Sequence, residues 1–316
     1  MSKTIRLGTR GSLLARWQTE FVAGLLRQAV PGLATEVEVI ETKGDRNLNQ
    51  SLTLIGGKGL FTDEIETALR KGKIDLAVHS LKDLPTENSD GLVIGAIPGR
   101  ANPADVLVSR TGYRLETLPT GARVGTCSHR RTAQLKRKRP DLFNLDIRGN
   151  VDSRISKALD PDGLYDAIVL AYAGLERLGR LDVISEELPF EVMLPAPGQA
   201  ALAVQCRPAP EILSILSKID HPDTRLAVTA ERAFLSSTGG GCIAPVAALA
   251  VVFDGKSEFR GRITSLNGQK QVDVHQDLFF PDIETLSFAL NAGKNLANEA
   301  LKKGGFEILK EFCYEK

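Results

Sequence analysis

An internal echo limits this chain to few architectures. Residues 4–7 read as a strand, Gly8-Thr9-Arg10-Gly11-Ser12 as a turn, and Leu14, Trp17, Phe21 and Leu25 as the apolar stripe of a helix. The same order returns at 122–124, at Gly125-Thr126-Cys127-Ser128, and in a polar helix through Ala133 and Leu135. Residues 37–40, followed by Thr42-Lys43-Gly44-Asp45, parallel residues 145–147, followed by Arg148-Gly149-Asn150. Each copy then runs through a helix to a short apolar strand led by aspartate, at 75–79 and at 166–171. Strands alternating with helices imply mainly parallel sheets covered on both faces, hence two similar α/β lobes.

Two segments rich in Pro and Gly, residues 98–103 and 194–199, mark passages between the lobes. With residues 201–205 returning as a strand of the first sheet, they predict a double hinge around a cleft, where small ligands bind. After His221-Pro222 the pattern changes to a helix at 223–235, then strand-like runs separated by Asp254-Gly255 and Asn267-Gly268, which are hairpin signals. A last helix over 283–303, stopped by Gly304-Gly305, would cover that antiparallel sheet. The expected fold class is α/β: two similar periplasmic-binding-protein-like lobes joined by a double hinge, plus a small C-terminal α+β domain. The expected domains are 1–98 with 199–217, 99–198, and 218–316. A length of 316 residues suits two or three domains.

Composition removes several function classes. Hydrophobic residues at 42% and charged residues at 25% exclude a disordered or fibrous chain. Forty Lys plus Arg against thirty-nine Asp plus Glu leave a net charge of +1, so any basic site must be local. The run Lys136-Arg137-Lys138-Arg139 fits a solvated helix end stopped by Pro140 better than a nucleic-acid surface. The four cysteines are far apart and lack His at ligand spacing, so neither a metal site nor a disulfide framework is expected; they are free thiols, or one does chemistry. No apolar signal core opens the chain, and the longest apolar run, 243–253, falls short of the ~20 residues of a bilayer span. The expectation is a cytoplasmic protein without membrane or nucleic-acid partners.

Each repeated turn offers backbone N–H groups at a helix N-terminus, with Thr9 and Ser12, or Thr126 and Ser128, as added hydroxyls. Arg10, Arg130, Arg131, Arg148, Arg154 and Arg177 fall where strands end or helices begin, and together they would repel one another unless a polyanion joined them. That pattern predicts a substrate with several carboxylates or phosphates. In His79-Ser80-Leu81-Lys82-Asp83-Leu84-Pro85, Asp83 is a candidate general acid or electrostatic stabiliser, or equally a turn former before Pro85. His79 is either part of this group or a core histidine. Gly56-Gly57-Lys58-Gly59 carries a cation into a helix but lacks the Walker Gly-Lys-Ser/Thr, so a P-loop NTPase is not supported, and residues 47–55 read as a mobile cover. Gly239-Gly240-Gly241-Cys242 presents an accessible thiol, the best candidate among the four for covalent attachment.

The segments LGTRGSLLA, GGKGLF, AVHSLKDLP, GTCSHRR, DIRGNVDSR, AGLERLG, LPAPGQAAL and GGGCIAP, in this order and spacing, resemble the porphobilinogen deaminase (hydroxymethylbilane synthase) family almost from end to end. The resemblance implies a three-domain monomeric transferase of tetrapyrrole synthesis. It condenses four porphobilinogen molecules head to tail, releasing ammonia each time, and hydrolyses the chain to hydroxymethylbilane. It implies a dipyrromethane cofactor joined through a thioether to Cys242, with Lys82, Asp83, Ser128, Arg130 and Arg131 around it. Asp83 would be the catalytic carboxylate, assisting loss of the aminomethyl nitrogen to leave an azafulvene. Arg10, Ser12, Arg148, Arg154, Arg177 and Lys58 would meet substrate carboxylates, two of which arrive with each ring. No metal is implied. Leu13, His129, Ala200 and Leu54 depart from the commoner family pattern, which has proline, leucine, glycine and, in some members, lysine at these positions. The rival classes are a noncatalytic periplasmic-type anion receptor and a nucleic-acid-binding regulator.

Overall fold

The computed structural model describes residues 4–42, 62–87, 89–241, 243–253, 256–279 and 286–314. Its strands are β1 (Ile5–Thr9), β2 (Thr35–Val39), β3 (Leu76–Ser80), β4 (Val93–Ala96), β5 (Asp105–Ser109), β6 (Arg123–Gly125), β7 (Phe143–Leu145), β8 (Ala167–Ala171), β9 (Glu186–Glu187), β10 (Leu202–Cys206), β11 (Val246–Phe253), β12 (Lys256–Thr264) and β13 (Gln271–Phe279). The helices are α1 (Leu13–Ala29), α2 (Asp63–Arg70), α3 (His129–Lys138), α4 (Val151–Leu159), α5 (Tyr172–Arg177), α6 (Pro210–Leu216), α7 (Pro222–Ser237), α8 (Leu286–Ala300) and α9 (Phe306–Tyr314). The chain forms two compact units, Met1–Ala101 with Ala200–Arg225, and Asn102–Gln199 with Leu226–Lys316.

The first unit holds a five-stranded sheet in the order β2-β1-β3-β10-β4, and the second holds one in the order β7-β6-β8-β5-β9. In the first, β1 runs parallel to β2 and β3, while β10 runs antiparallel to both of its neighbours. In the second, β6 runs parallel to β7 and β8, while β5 is the reversed strand. The topologies are the same, and in each sheet the reversed strand begins just after the chain has passed from the other unit, at Ala101/Asn102 and at Gln199/Ala200. Two similar α/β lobes are therefore present, as the echo predicted, and two passages connect them.

The repeat extends to individual bonds. Asp75 Oδ2 accepts from Arg6 N at 3.0 Å and from Arg6 Nε at 3.2 Å. Asp166 Oδ2 accepts from Arg123 N at 2.7 Å and from Arg123 Nε at 3.2 Å. In both lobes the aspartate before the third strand thus pins the first strand beside it, which explains the aspartate that leads each apolar run.

The buried face of α1 differs from the expected stripe. Trp17 and Phe21 are 39% and 40% exposed and stack with ring centroids 5.2 Å apart, whereas Gln18, Thr19, Val22, Ala23 and Leu26 are buried. Apolar residues occur on two faces of this helix, and the face with the smaller side chains is the one that packs in the first lobe's core beside Ile5, Leu7 and Leu76.

The C-terminal part of the second unit is an antiparallel sheet, β11-β12-β13, under α7, α8 and α9. The strands pair from Val246 with Ile263 to Phe253 with Lys256, and from Lys256 with Phe279 to Thr264 with Gln271. Asn267-Gly268 turns the second hairpin as expected; Asp254-Gly255 lies outside the described residues. The chain does not end its helical structure at Gly304. That residue takes φ 108°, open to glycine without a Cβ penalty, and α9 follows it to pack Ile308, Leu309 and Phe312 into the core.

Candidate active site

Because β1 and β3 are parallel neighbours, their C-terminal ends share one edge of the first sheet, where α/β proteins set functional groups. From Thr9 the chain turns through half-buried Arg10 to Ser12, whose Oγ caps α1 by accepting from Ala15 N at 3.3 Å. From Ser80 it enters a single 3₁₀ turn, Leu81–Asp83, in which Leu81 is buried, Lys82 half-buried and Asp83 exposed. Buried Gln18 of α1 donates from Nε2 to Ser80 Oγ at 2.9 Å and so ties the two ends together. Leu81 N donates to Ala201 O at 3.0 Å, fixing the turn to the incoming β10. Asp83 therefore stands on an anchored turn with its carboxylate toward solvent.

His79 belongs to the core. Its Nε2 donates to Gln205 Oε1 at 3.2 Å, Gln205 Nε2 donates to Glu66 Oε1 at 3.1 Å, and Ser89 Oγ donates to the same oxygen at 2.7 Å. Burial pulls the His79 pKa down to about 4, opposed by the Gln205 bond and the Glu66 charge, so the ring is neutral near pH 7. Of the two alternatives open at this position, the satisfied core histidine is the one observed.

In the second lobe the parallel strands β6, β7 and β8 bring a second set of residues to one edge. Ser128 caps α3, with Arg131 N 3.5 Å from its Oγ. Arg148 follows β7, Arg154 lies on α4 and donates from Nε to Gly149 O at 2.7 Å, and Arg177 ends α5 after β8. Burial lowers the Arg177 pKa to about 10, which marks a guanidinium held largely out of water. The Cys127 thiol donates to Ile147 O at 2.9 Å and is pushed up by burial, so it is no thiolate nucleophile.

Arg130 and Arg131 lie inside the lobe on one carboxylate, that of Asp105 at the start of β5. Arg131 Nη2 and Nε donate to Asp105 Oδ1 at 2.7 and 3.2 Å, and Arg131 Nη1 to Val169 O at 3.0 Å. Arg130 Nη1 is 2.8 Å from Asp105 Oδ2 and donates to Leu194 O at 2.7 Å. Gln199, on the returning passage, donates from Nε2 to Asp105 Oδ1 at 2.9 Å and to Pro103 O at 2.7 Å. All three charged groups are buried, and the Arg130 Nε is buried without a hydrogen-bond partner among the described residues. Desolvation lowers the Arg130 pKa, with the Asp105 charge opposing it. Two guanidinium groups on one carboxylate leave a buried excess of positive charge, which an anion would balance.

Sequence reasoning did not single out Asp105 or Gln199. An acidic residue opening the apolar strand Asp-Val-Leu-Val-Ser, two positions after Pro103, was the available signal. The basic run has protein partners: Arg137 Nη1 donates to Gln269 O, in the turn between β12 and β13, at 3.1 Å, Lys138 Nζ is 3.3 Å from Glu116, and Arg139 pairs with Asp141 at 2.6 Å.

The glycine run has two distinct reasons in the fold. Gly239 and Gly241 take φ 70° and 66°, the left-handed region, and a Cβ on Gly240 would stand 2.4 Å from the Ala244 Cβ. Cys242, Lys58, Leu54 and the expected cover at 47–55 lie outside the described residues.

Each α/β lobe sets basic side chains at the strand ends of its own sheet, and the first adds the exposed carboxylate of Asp83, the arrangement of an α/β enzyme. A family model described as "Porphobilinogen deaminase, dipyromethane cofactor binding domain" matches residues 5–214, and "Porphobilinogen deaminase, C-terminal domain" matches 225–302. Curated porphobilinogen deaminases of Syntrophomonas wolfei and Moorella thermoacetica are 47% and 48% identical, over 98% and 97% of this chain and 99% and 96% of theirs. Among solved structures, the methionine binding protein MetQ is 12% identical with a TM-score of 0.40, over 68% of this chain and 88% of that one. The chain belongs to the porphobilinogen deaminase family.

Proposed function

We propose that Asp83 and the basic groups of the two lobes carry out the family's reaction in this chain. As a member of that family it is a transferase: it condenses four porphobilinogen molecules head to tail with loss of ammonia, then hydrolyses the product to hydroxymethylbilane. Its cofactor is dipyrromethane, which when bound supplies the pyrrole α-carbon from which the chain is extended.

The single observation that carries the assignment of residues is the buried Arg130–Asp105–Arg131 group with its excess positive charge and the unpartnered Arg130 Nε. A dipyrromethane brings acetate and propionate groups, and one carboxylate there satisfies both the charge and the N–H. Arg130 and Arg131, with Ser128, Lys82 and Asp83, are the proposed cofactor-binding residues, and Cys242 the thioether anchor. Arg10, Ser12, Arg148, Arg154, Arg177 and Lys58 bind substrate carboxylates.

Asp83 is the proposed catalytic residue. It delivers a proton to the aminomethyl nitrogen of porphobilinogen as that nitrogen leaves as ammonia, and its carboxylate then faces the positive charge left on the pyrrole. The arginines orient rings through their carboxylates and set the reacting carbons in line. The proposed domains are 1–98 with 199–217, 99–198 and 218–316, the last supported by its own sheet and core. The protein is assigned as a monomer working in the cytoplasm; no helix among the described residues is long and apolar enough to cross a membrane.

The intact mass of the denatured protein, wild type beside Cys242→Ser, tests the reading. A mass excess of two linked pyrroles in the wild type alone, with porphobilinogen consumed only by the wild type, is expected. An equal excess in Cys242→Ser would remove Cys242 as anchor.

A further inference from the structure

His129 is the first residue of α3, between the capping Ser128 and the buried Arg130, and it reaches into the C-terminal part of the same unit. Its Nδ1 lies 2.9 Å from the carbonyl oxygen of Ile243, the residue after Cys242. A carbonyl only accepts, so Nδ1 carries the proton and donates. The ring also meets Phe312 of α9 edge to face, with centroids 5.2 Å apart and planes at 70°. Phe312 is buried in the C-terminal core, so the imidazole has one side fixed by packing and one nitrogen aimed at the loop.

That loop is tied at both ends. Thr238 N donates to Phe234 O and Gly239 N to Ser236 O where α7 stops; at the other end Thr264 N donates to Pro245 O where β11 begins. Between them Ala244 N donates to Gly241 O at 3.2 Å, and Ala244 is wedged against Gly240. The Ile243 side chain is half exposed. The His129 bond joins the Ile243 peptide of this loop to the helix that carries Ser128, Arg130 and Arg131.

We propose that His129 is a positioning residue: by donating to the Ile243 carbonyl it holds that peptide, next in sequence to Cys242, against the N-terminus of α3, where Ser128, Arg130 and Arg131 lie. The inference rests on the reading of Cys242 as the cofactor anchor. Without the bond the Ile243 peptide is no longer tied to that helix, and covalent loading slows although the fold and the charges are intact. Leucine at 129 keeps an apolar contact with Phe312 and removes the donor. Asparagine keeps a donor near the place of Nδ1 and loses the ring.

The test follows covalent loading rather than turnover. Full-length wild type, His129→Leu, His129→Asn and Cys242→Ser are produced in cells that make no porphobilinogen, then mixed with porphobilinogen, and the mass gain of two pyrroles is timed. The expected result is loading about three- to tenfold slower in His129→Leu, the worth of one neutral hydrogen bond, with His129→Asn restored toward wild type and thermal midpoints alike for all three. Equal loading rates in wild type and His129→Leu, with Cys242→Ser empty, overturn the role of His129 and leave the anchor standing. His129→Asn as slow as His129→Leu would assign the effect to packing on Phe312 and overturn it equally. Mass gain in Cys242→Ser would sink the anchor and the positioning role together. Independently, the ¹⁵N shifts of the neutral His129 ring must report the proton on Nδ1; an Nε2-protonated ring would contradict the bond.

Discussion

Arg131 Nη2 lies 2.7 Å from Asp105 Oδ1, and this pair is the inner wall of the proposed carboxylate site. Asp105 also serves Arg130 and accepts from Gln199, so one buried carboxylate is the counter-charge of two guanidinium groups and the anchor of the returning passage. Asp105→Asn keeps an acceptor for Gln199 but leaves both cations uncompensated. Loss of one partner from a buried ion pair costs about 3–5 kcal/mol, so unfolding in urea should shift by that order. A shift below about 1 kcal/mol would mean that water or bound anion already screens the pair.

Asp83→Asn keeps the shape of the side chain beside the cofactor and is expected to act chiefly on turnover. Asp83 is exposed on a turn held by Leu81 and Ser80, and its carboxylate supports no core contact. Removing a general acid costs on the order of 10²–10⁴ in rate, so turnover should fall at least a hundredfold while the thermal midpoint and the dipyrromethane mass stay as in wild type. Near-normal rates would take Asp83 out of the mechanism.

The parts legible in the sequence were those with local causes. The repeated strand, turn and helix and the Asn267-Gly268 hairpin follow from backbone preferences within a few residues, and both are present, whereas Ser12 and Ser128, read as hydroxyls for an anion, are found capping their helices. The face of α1 was misread because amphipathicity alone did not say which apolar stripe would meet the sheet; Gln18 facing Ser80 is a tertiary choice. The same holds for the site. Cations at strand ends were visible one by one, but that Arg130 and Arg131 share Asp105, with 25 and 26 positions between partners, depends on β5 entering the sheet reversed from the other unit. His129 was visible only as a departure from leucine; its bond to Ile243 spans 114 positions.

Gly240→Ala tests how closely the cysteine-bearing loop is fitted. A Cβ there would stand 2.4 Å from Ala244 Cβ and 3.4 Å from Leu309 Cδ2, so the loop must shift rather than a flexible side chain. Overpacking of this kind costs about 1–3 kcal/mol. The expected outcome is a lower thermal midpoint together with incomplete dipyrromethane loading, read from the intact mass. Full loading at an unchanged midpoint would show that the loop accepts a side chain at 240.

Acid stability should report His79. Its pKa in the folded protein is about 4, against an ordinary value of 6.5, because burial disfavours the charged ring. Between these values the unfolded chain binds a proton that the folded chain does not. The stabilisation is therefore complete above pH 6.5 and is lost as pH falls toward 4, in total about 3 kcal/mol. Glutamine at 79 can still donate to Gln205 but does not titrate. The stability difference between wild type and His79→Gln, from urea unfolding at pH 7 and pH 4, should move by that order in favour of the variant at low pH. Parallel curves for the two proteins across this window would mean that His79 takes up its proton in the fold as readily as in the unfolded chain, and that burial does not depress it.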